Sequence, residues 1–398
     1  MSHLRSSEGV TRIGPLPSPS SVPTGLVDGD FQAVLLDEAL AFLASGNLNA
    51  ARRVAEKAET LGGSWYSALL LARVAREIGE PNQSVSLLEV AEKRYLQLLA
   101  TSNPEFKGMD KGRILARVEA KVASQADCCA VYWAEPQLSL IYGNLAAVLG
   151  AAGRYGEAER MGRLALRIFP KDDLSAVNLG YALLGLGRLP EAEEVLRLAT
   201  SLNPQDPCAV TNLGSVRLVR GDGAEALALF QRALALDPKF SQAWSGVGEI
   251  AMSRKDWETA VDAFKKASAY GPRNASARNN LGISLGRLGR WQEAVASLRE
   301  ATTLEPGTEA HFVNLGFTFL DSRLGPAYVD QAKEALEQAL ARNPKSPLAI
   351  LGLGHVYWKK KDVGKAVEEY RSFLTLAQEQ GCCSAEQVWV WNRLNSLP

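Results

Sequence analysis

DLSAVNLGYALLGLGRLPEAEEVLRLATSLNPQD, residues 173–206, runs directly into PCAVTNLGSVRLVRGDGAEALALFQRALALDPKF, residues 207–240. Set one above the other, the two segments share Asn-Leu-Gly at positions 6–8, alanine at 20 and 27, and proline at 32. The same 34-residue period fits 139–172, 241–274, 275–308, 309–346 and 347–380, the sixth unit carrying four extra residues. Position 8 is small throughout: Ala146, Gly180, Gly214, Gly248, Gly282, Gly316 and Gly354. Position 20 is alanine in all seven units, position 27 in six with Phe373 in the last, and position 32 is proline in six.

Each regularity has a physical reason. Positions 2–14 and 18–30 carry helical periodicity around a glycine or short polar turn near 15–16, so each unit predicts two helices. Small residues at 8, 20 and 27 let the two helices approach where larger side chains would hold them apart. Proline at 32 ends the second helix, because it pushes its predecessor out of the helical region. This pattern resembles the tetratricopeptide repeat (TPR) over residues 139–380, which implies an all-α fold: a right-handed superhelical solenoid of antiparallel helix pairs, with function on its surfaces.

Outward from this array the pattern weakens. Residues 32–64 place Ala39, Ala51 and Ala58 at positions 8, 20 and 27, and 65–98 follow through Ala72 and Ala91 with Ser84 and Pro81 out of pattern. Two degenerate helix pairs are therefore expected over 31–98. A loop from 99 to 110 and one interrupting helix over 111–132 should follow, with 99–138 as a whole outside the regular array. The stretch DSRLGPAYVD holds the extra residues of unit 309–346, and Gly325-Pro326 should break the helix there. A capping helix is expected over 381–398, with Ser384 as its N-cap. Residues 1–30 read as a disordered Ser/Pro-rich tail, within which 14–23 (GPLPSPSSVP) resembles polyproline II.

Composition narrows the function. The 398 residues carry 44 Lys plus Arg against 44 Asp plus Glu. Nucleic-acid binding is disfavoured without a basic excess. No apolar run reaches the 18 residues of a membrane span, and the N-terminus shows no secretory h-region, so a cytoplasmic location is expected. Five cysteines, including the adjacent pairs Cys128-Cys129 and Cys382-Cys383, fit neither a disulfide framework nor zinc spacing. Three histidines in separate places and no glycine-rich phosphate loop argue against catalysis, so no catalytic residue, metal site or cofactor is expected.

The resemblance places positions 2, 5, 6, 9, 12 and 13 on the concave face. Position 6 is Asn144, Asn178, Asn212, Gly246, Asn280, Asn314 and Gly352. A side-chain amide both donates and accepts, so a row of them can pair with the main chain of an extended peptide whatever its sequence. The row resembles the asparagine ladder in the TPR region of O-GlcNAc transferase. Position 9 supplies Tyr181, Phe317 and His355, position 12 Trp358, and position 5 Asn279. Tyr181, Phe317 and Trp358 are the expected anchors, since aromatics dominate interface energies. Only Arg287 and Lys359 add positive charge, which disfavours the carboxylate clamp of chaperone-binding TPRs.

The expected function is a non-catalytic scaffold that holds an extended, neutral or apolar segment of a protein partner in this groove. A self-assembling platform and a substrate-carrying subunit of a separate enzyme are the alternatives. Trp389 and Trp391, two residues apart, cannot both be buried on one helix face, so self-association through the C-terminal helix is also possible.

Overall fold

Small residues on one helix and large ones on its partner generate every layer of the structure. The computed structural model describes residues 30–102, 106–124, 135–321 and 324–395. The expectations for the tail, the polyproline-like stretch and Cys128-Cys129 lie outside the described residues. What is described forms two compact units, one within residues 8–236 and one within 237–398. All regular elements among the described residues are helical.

The first unit pairs α1 (Asp30–Ala44) with α2 (Leu48–Thr60), and α3 (Trp65–Ile78) with α4 (Pro81–Ser102). A lone α5 (Lys111–Ser124) follows. Three further pairs are α6 (Glu135–Ala151) with α7 (Tyr155–Ile168), α8 (Asp173–Gly185) with α9 (Leu189–Leu202), and α10 (Pro207–Arg220) with α11 (Gly223–Leu236). In the second unit α12 (Ser241–Ser253) pairs with α13 (Trp257–Tyr270), and α14 (Ala275–Arg287) with α15 (Trp291–Leu304). Next come α16 (Glu309–Phe319) with α17 (Val329–Arg342) and α18 (Pro347–Lys359) with α19 (Val363–Glu379), then α20 (Ser384–Asn395).

Within a pair, the glycine at position 8 faces a large residue at position 24 of the second helix. A Cβ added to Gly180 would stand 2.5 Å from Leu196, one on Gly214 2.8 Å from Phe230, and one on Gly248 2.7 Å from Phe264. Gly282 meets Leu298 and Gly316 meets Leu336, each at 2.6 Å, and Gly354 lies against Tyr370. These knobs are almost wholly buried, as is every alanine at position 20. Each large apolar side chain so buried contributes on the order of 1.5–3 kcal/mol.

The turns and caps repeat as well. Position 15 takes a left-handed backbone in Gly153, Gly187, Gly221 and Gly289, and also in Lys255 and Lys361. Position 34 caps the next helix through the side chains of Asp172, Asp206, Asn274 and Ser346, each accepting from a first-turn N–H.

The irregular segments have local causes. Ser84 takes the position-20 place in the α3–α4 pair, wholly buried, and its hydroxyl donates to the Ala72 carbonyl at 2.7 Å. Pro81 is the first residue of α4, where a missing N–H costs nothing. The helix then runs past the expected loop start at 99 to Ser102. Lys111 of α5 pairs with Glu92 of α4 at 2.6 Å, and the Tyr142 hydroxyl of α6 donates to the same carboxylate. Gly325 sits at φ 94°, and a 3-10 turn over Pro326–Tyr328 leads into α17, with Tyr328 stacked on Phe319. The N-cap expected at Ser384 falls one residue earlier. The Cys383 carbonyl accepts from the Gln387 N–H at 2.9 Å, so Ser384 is already inside α20.

Candidate functional site: a groove in the second unit

First helices stacked in parallel leave one face of each pair open. In the second unit α14, α16 and α18 line a groove of about 540 Å³, and α20 closes its side. Its apolar wall is Ile283, Trp291, Val313, Phe317, Leu348, Leu351 and Trp389. Asn314, Thr318, His355, Arg287 and Glu386 supply the polar points.

An aromatic chain holds α20 in place. Phe317 meets His355 edge-on at 6.1 Å, His355 meets Trp389 at 4.9 Å, and Trp389 meets Tyr370 at 6.0 Å. The Tyr370 hydroxyl lies 2.8 Å from His355 Nδ1. Burial, reinforced by Arg393 and Lys359, pushes the imidazole pKa down to about 4, so His355 is neutral near pH 7. Arg393 of α20 lies over Trp358 at 3.8 Å. Neither Arg287 nor Glu386 has an ion-pair partner among the described residues. Arg287 instead stands 5.8 Å from the Trp257 ring. The groove thus offers an apolar channel with one cation, one anion and a few neutral hydrogen-bonding groups. Among the described residues no group of three or more His, Cys, Asp or Glu could hold a metal ion, and no helix is long and apolar enough to cross a membrane.

The residues singled out from the sequence fall into three places. Asn314, Phe317 and His355 come together in the groove. Trp358 lies beside it, under Arg393, and Tyr181 belongs to the first unit, edge-on to Tyr155 at 5.9 Å. The amides lie deeper than a free ladder requires. Asn178 is wholly buried and its Nδ2 donates to the Gly143 carbonyl on the preceding first helix at 3.1 Å. Asn212 is also wholly buried. Asn144 is buried with neither amide atom partnered among the described residues. In the second unit Asn314 donates to Asn279 at 2.9 Å and Asn279 to Asn280 at 3.2 Å. Asn178 and Asn314 each tie their helix to the preceding first helix, and of the five at position 6 Asn314 lines the groove.

Sequence reasoning missed Trp291 and Glu386. Trp291 opens a second helix, at a position with no concave role in the repeat pattern. Glu386 and Trp389 reach the groove only because α20 folds back on α18 and α19. The adjacency of two tryptophans in the closing helix was the available signal: Trp389 makes ring contacts with His355 and Tyr370 while still 48% exposed, and Trp391 is 62% exposed.

Comparison with known proteins agrees on the architecture. Two profiles described as tetratricopeptide repeat match, one at 211–271, 255–308 and 329–380, the other at 149–211. Among curated proteins the sequence finds no match. The solved APC/C hetero-tetramer Cut9–Hcn1 is 14% identical with TM-score 0.53, over 91% of this chain and 96% of that one. Yeast Tom70 is 13% identical with TM-score 0.43, over 92% and 95%. YrrB, described as a TPR protein with an unusual peptide-binding site, is 22% identical with TM-score 0.36, over 48% and 95%. The period in the sequence, the glycine-and-knob helix pairs and the profile matches converge: the chain belongs to the tetratricopeptide-repeat family, whose arrays act as protein–protein interaction scaffolds.

Proposed function

We propose that the chain is a non-catalytic scaffold whose second unit holds an extended, neutral or apolar segment of a partner protein. The observation that carries this reading is the open apolar channel between α14, α16, α18 and α20, with Phe317 and Trp389 on its walls. Asn314 is the main-chain contact: its Nδ2 is engaged by Asn279, which leaves its Oδ1 to accept a peptide N–H. Asn280 and Asn279 set that amide's orientation from behind. In the first unit Asn178 serves the packing of successive first helices.

The test is selection of random phage-displayed peptides on the full chain, with selected peptides titrated by fluorescence anisotropy. Enriched peptides should be apolar and uncharged overall, and Phe317→Ala or Asn314→Ala should weaken them about tenfold, as loss of a buried aromatic contact implies. No enrichment, or binding indifferent to both substitutions, refutes the reading. Self-association through α20 has the exposure of Val388 and Trp391 in its favour. A monodisperse monomer across a concentration series in sedimentation removes it.

A further inference from the structure

Between α19 and α20 the chain reads Gly381-Cys382-Cys383-Ser384, and both Gly381 and Cys383 take a left-handed backbone, at φ 61° and 60°. One peptide link, Cys382–Cys383, is tied to both helices. The Cys382 N–H donates to the Ala377 carbonyl of α19 at 3.0 Å. On the other side Gln387 of α20 donates its Nε2 to the Cys382 carbonyl at 2.6 Å and its N–H to the Cys383 carbonyl at 2.9 Å. The two thiols meet, the Cys383 Sγ donating to the Cys382 Sγ at 3.0 Å, and both side chains are half-buried. Beyond the link, α20 is held by Val390 and Leu394 in the apolar cluster of the last pair, and by Trp389 against His355 and Tyr370.

We propose that Cys382 and Cys383 form a vicinal dithiol that a small disulfide, oxidised glutathione, closes to a disulfide, and that closure loosens α20 from the last helix pair. The Cys382 thiolate attacks one sulfur of the small disulfide, forming a mixed disulfide and releasing one thiolate. The Cys383 thiolate then attacks the Cys382 sulfur and expels the second. The two protein thiols lose two electrons, which the small disulfide gains, and their two protons end on the two thiols released. Burial and the contact with Cys382 push the Cys383 thiol up to about 12, which leaves Cys382 as the first attacker. Geometry couples this chemistry to the helix. Adjacent Cα atoms stand about 3.8 Å apart across a trans peptide, less than the roughly 4.4–6.8 Å spanned by ordinary disulfides. The link's dihedrals must turn to close the ring, and its two carbonyls, which both accept from Gln387, turn with them. Since α20 forms one side of the groove through Glu386 and Trp389, its release opens that side. Loss of peptide affinity on oxidation rests on the groove reading; the dithiol and its hinge do not.

The full chain, incubated with reduced or with oxidised glutathione, is alkylated, digested with trypsin and weighed. Fragment 372–393 holds Cys382 and Cys383 and no other cysteine, so it reports the pair alone. In the oxidised sample it should lose two hydrogens and resist alkylation. Hydrogen exchange of the α20 amides should then speed up about tenfold, the scale of losing two hydrogen bonds, and return on reduction with dithiothreitol. A fragment that stays open to alkylation, or that keeps one glutathione instead, overturns the dithiol. A closed disulfide with unchanged α20 exchange overturns the hinge. So does the same speeding in Cys382→Ser/Cys383→Ser, which would assign it to the other cysteines. Peptides selected on the reduced chain should bind the oxidised chain about tenfold more weakly, as loss of the Trp389 wall implies. If no peptide is selected, the groove reading fails while the mass and exchange results still decide the dithiol and the hinge.

Discussion

Gly282→Ala and Gly286→Ala place the same methyl group on the same helix, α14, one turn apart. Both replace a helical glycine, Gly282 in the interior and Gly286 in the last turn of α14, which favours the folded state by up to about 1 kcal/mol through propensity alone. The larger difference is in what the methyl meets. At Gly282 it falls 2.6 Å from Leu298 Cγ and 3.0 Å from the Ala294 carbonyl oxygen, so either a wholly buried leucine or the α15 backbone must move. Overpacking of that kind costs roughly 1–3 kcal/mol. Gly282→Ala should therefore be neutral to destabilising by up to about 2 kcal/mol, whereas Gly286→Ala should gain most of the propensity term, a difference of about 1–3 kcal/mol. Urea unfolding followed by helical circular dichroism measures the two midpoints. Adding Leu298→Ala separates the mechanisms, because in its presence the penalty at Gly282 should shrink. Equal midpoints for the two single variants would refute the knob-against-glycine account of helix pairing.

Three further outcomes follow from the geometry. Asn178→Ala removes the partner of a buried carbonyl and should lower stability by about 1–3 kcal/mol, whereas Asn144→Leu replaces an amide with no partner and should be neutral or stabilising, both read from urea midpoints. Lys255→Gly and Lys361→Gly relieve left-handed lysines at φ 60° and 62° and should each stabilise by about 1 kcal/mol, seen as a raised melting temperature. His355, with its folded pKa lowered to about 4 against an unfolded value near 6.5, takes up its proton more readily when unfolded. Its contribution is therefore full above about pH 6.5 and is lost as pH falls toward 4, up to about 3 kcal/mol in all, so His355→Phe should flatten the midpoint-against-pH profile over that window.

The repeat was legible because its determinants are steric and local. A glycine at position 8, an alanine at 20 and a proline at 32 each exclude alternatives within one turn of chain, and the same triad recurs until the register is unambiguous. Depth was not legible. The period places Asn178 on a face of α8 but does not reveal that Gly143, lacking a side chain on the preceding first helix, leaves its carbonyl open to the incoming amide. Reach across elements was equally hidden. Trp389 enters the groove because α20 folds back, a consequence of the Cys383 backbone at φ 60° and of Val390 and Leu394 packing on the last pair. Ser84 shows the opposite case: a polar residue at a small-residue position looks like a lost repeat until its hydroxyl is seen to bond within the pair.

The knobs at position 24 vary from leucine in α9 to phenylalanine in α11 and α13, back to leucine in α15 and α17, and to tyrosine in α19, while the glycine they meet stays the same. Each hairpin has thus been fitted to its own knob, by small shifts of backbone that glycine alone does not record. Whole hairpins are interchangeable parts, since a transplanted one carries its fit with it. Chimeras joined inside a hairpin would unite a glycine and a knob that never adjusted to each other, so tolerated crossover points in recombined versions of this chain should fall between hairpins, at the prolines.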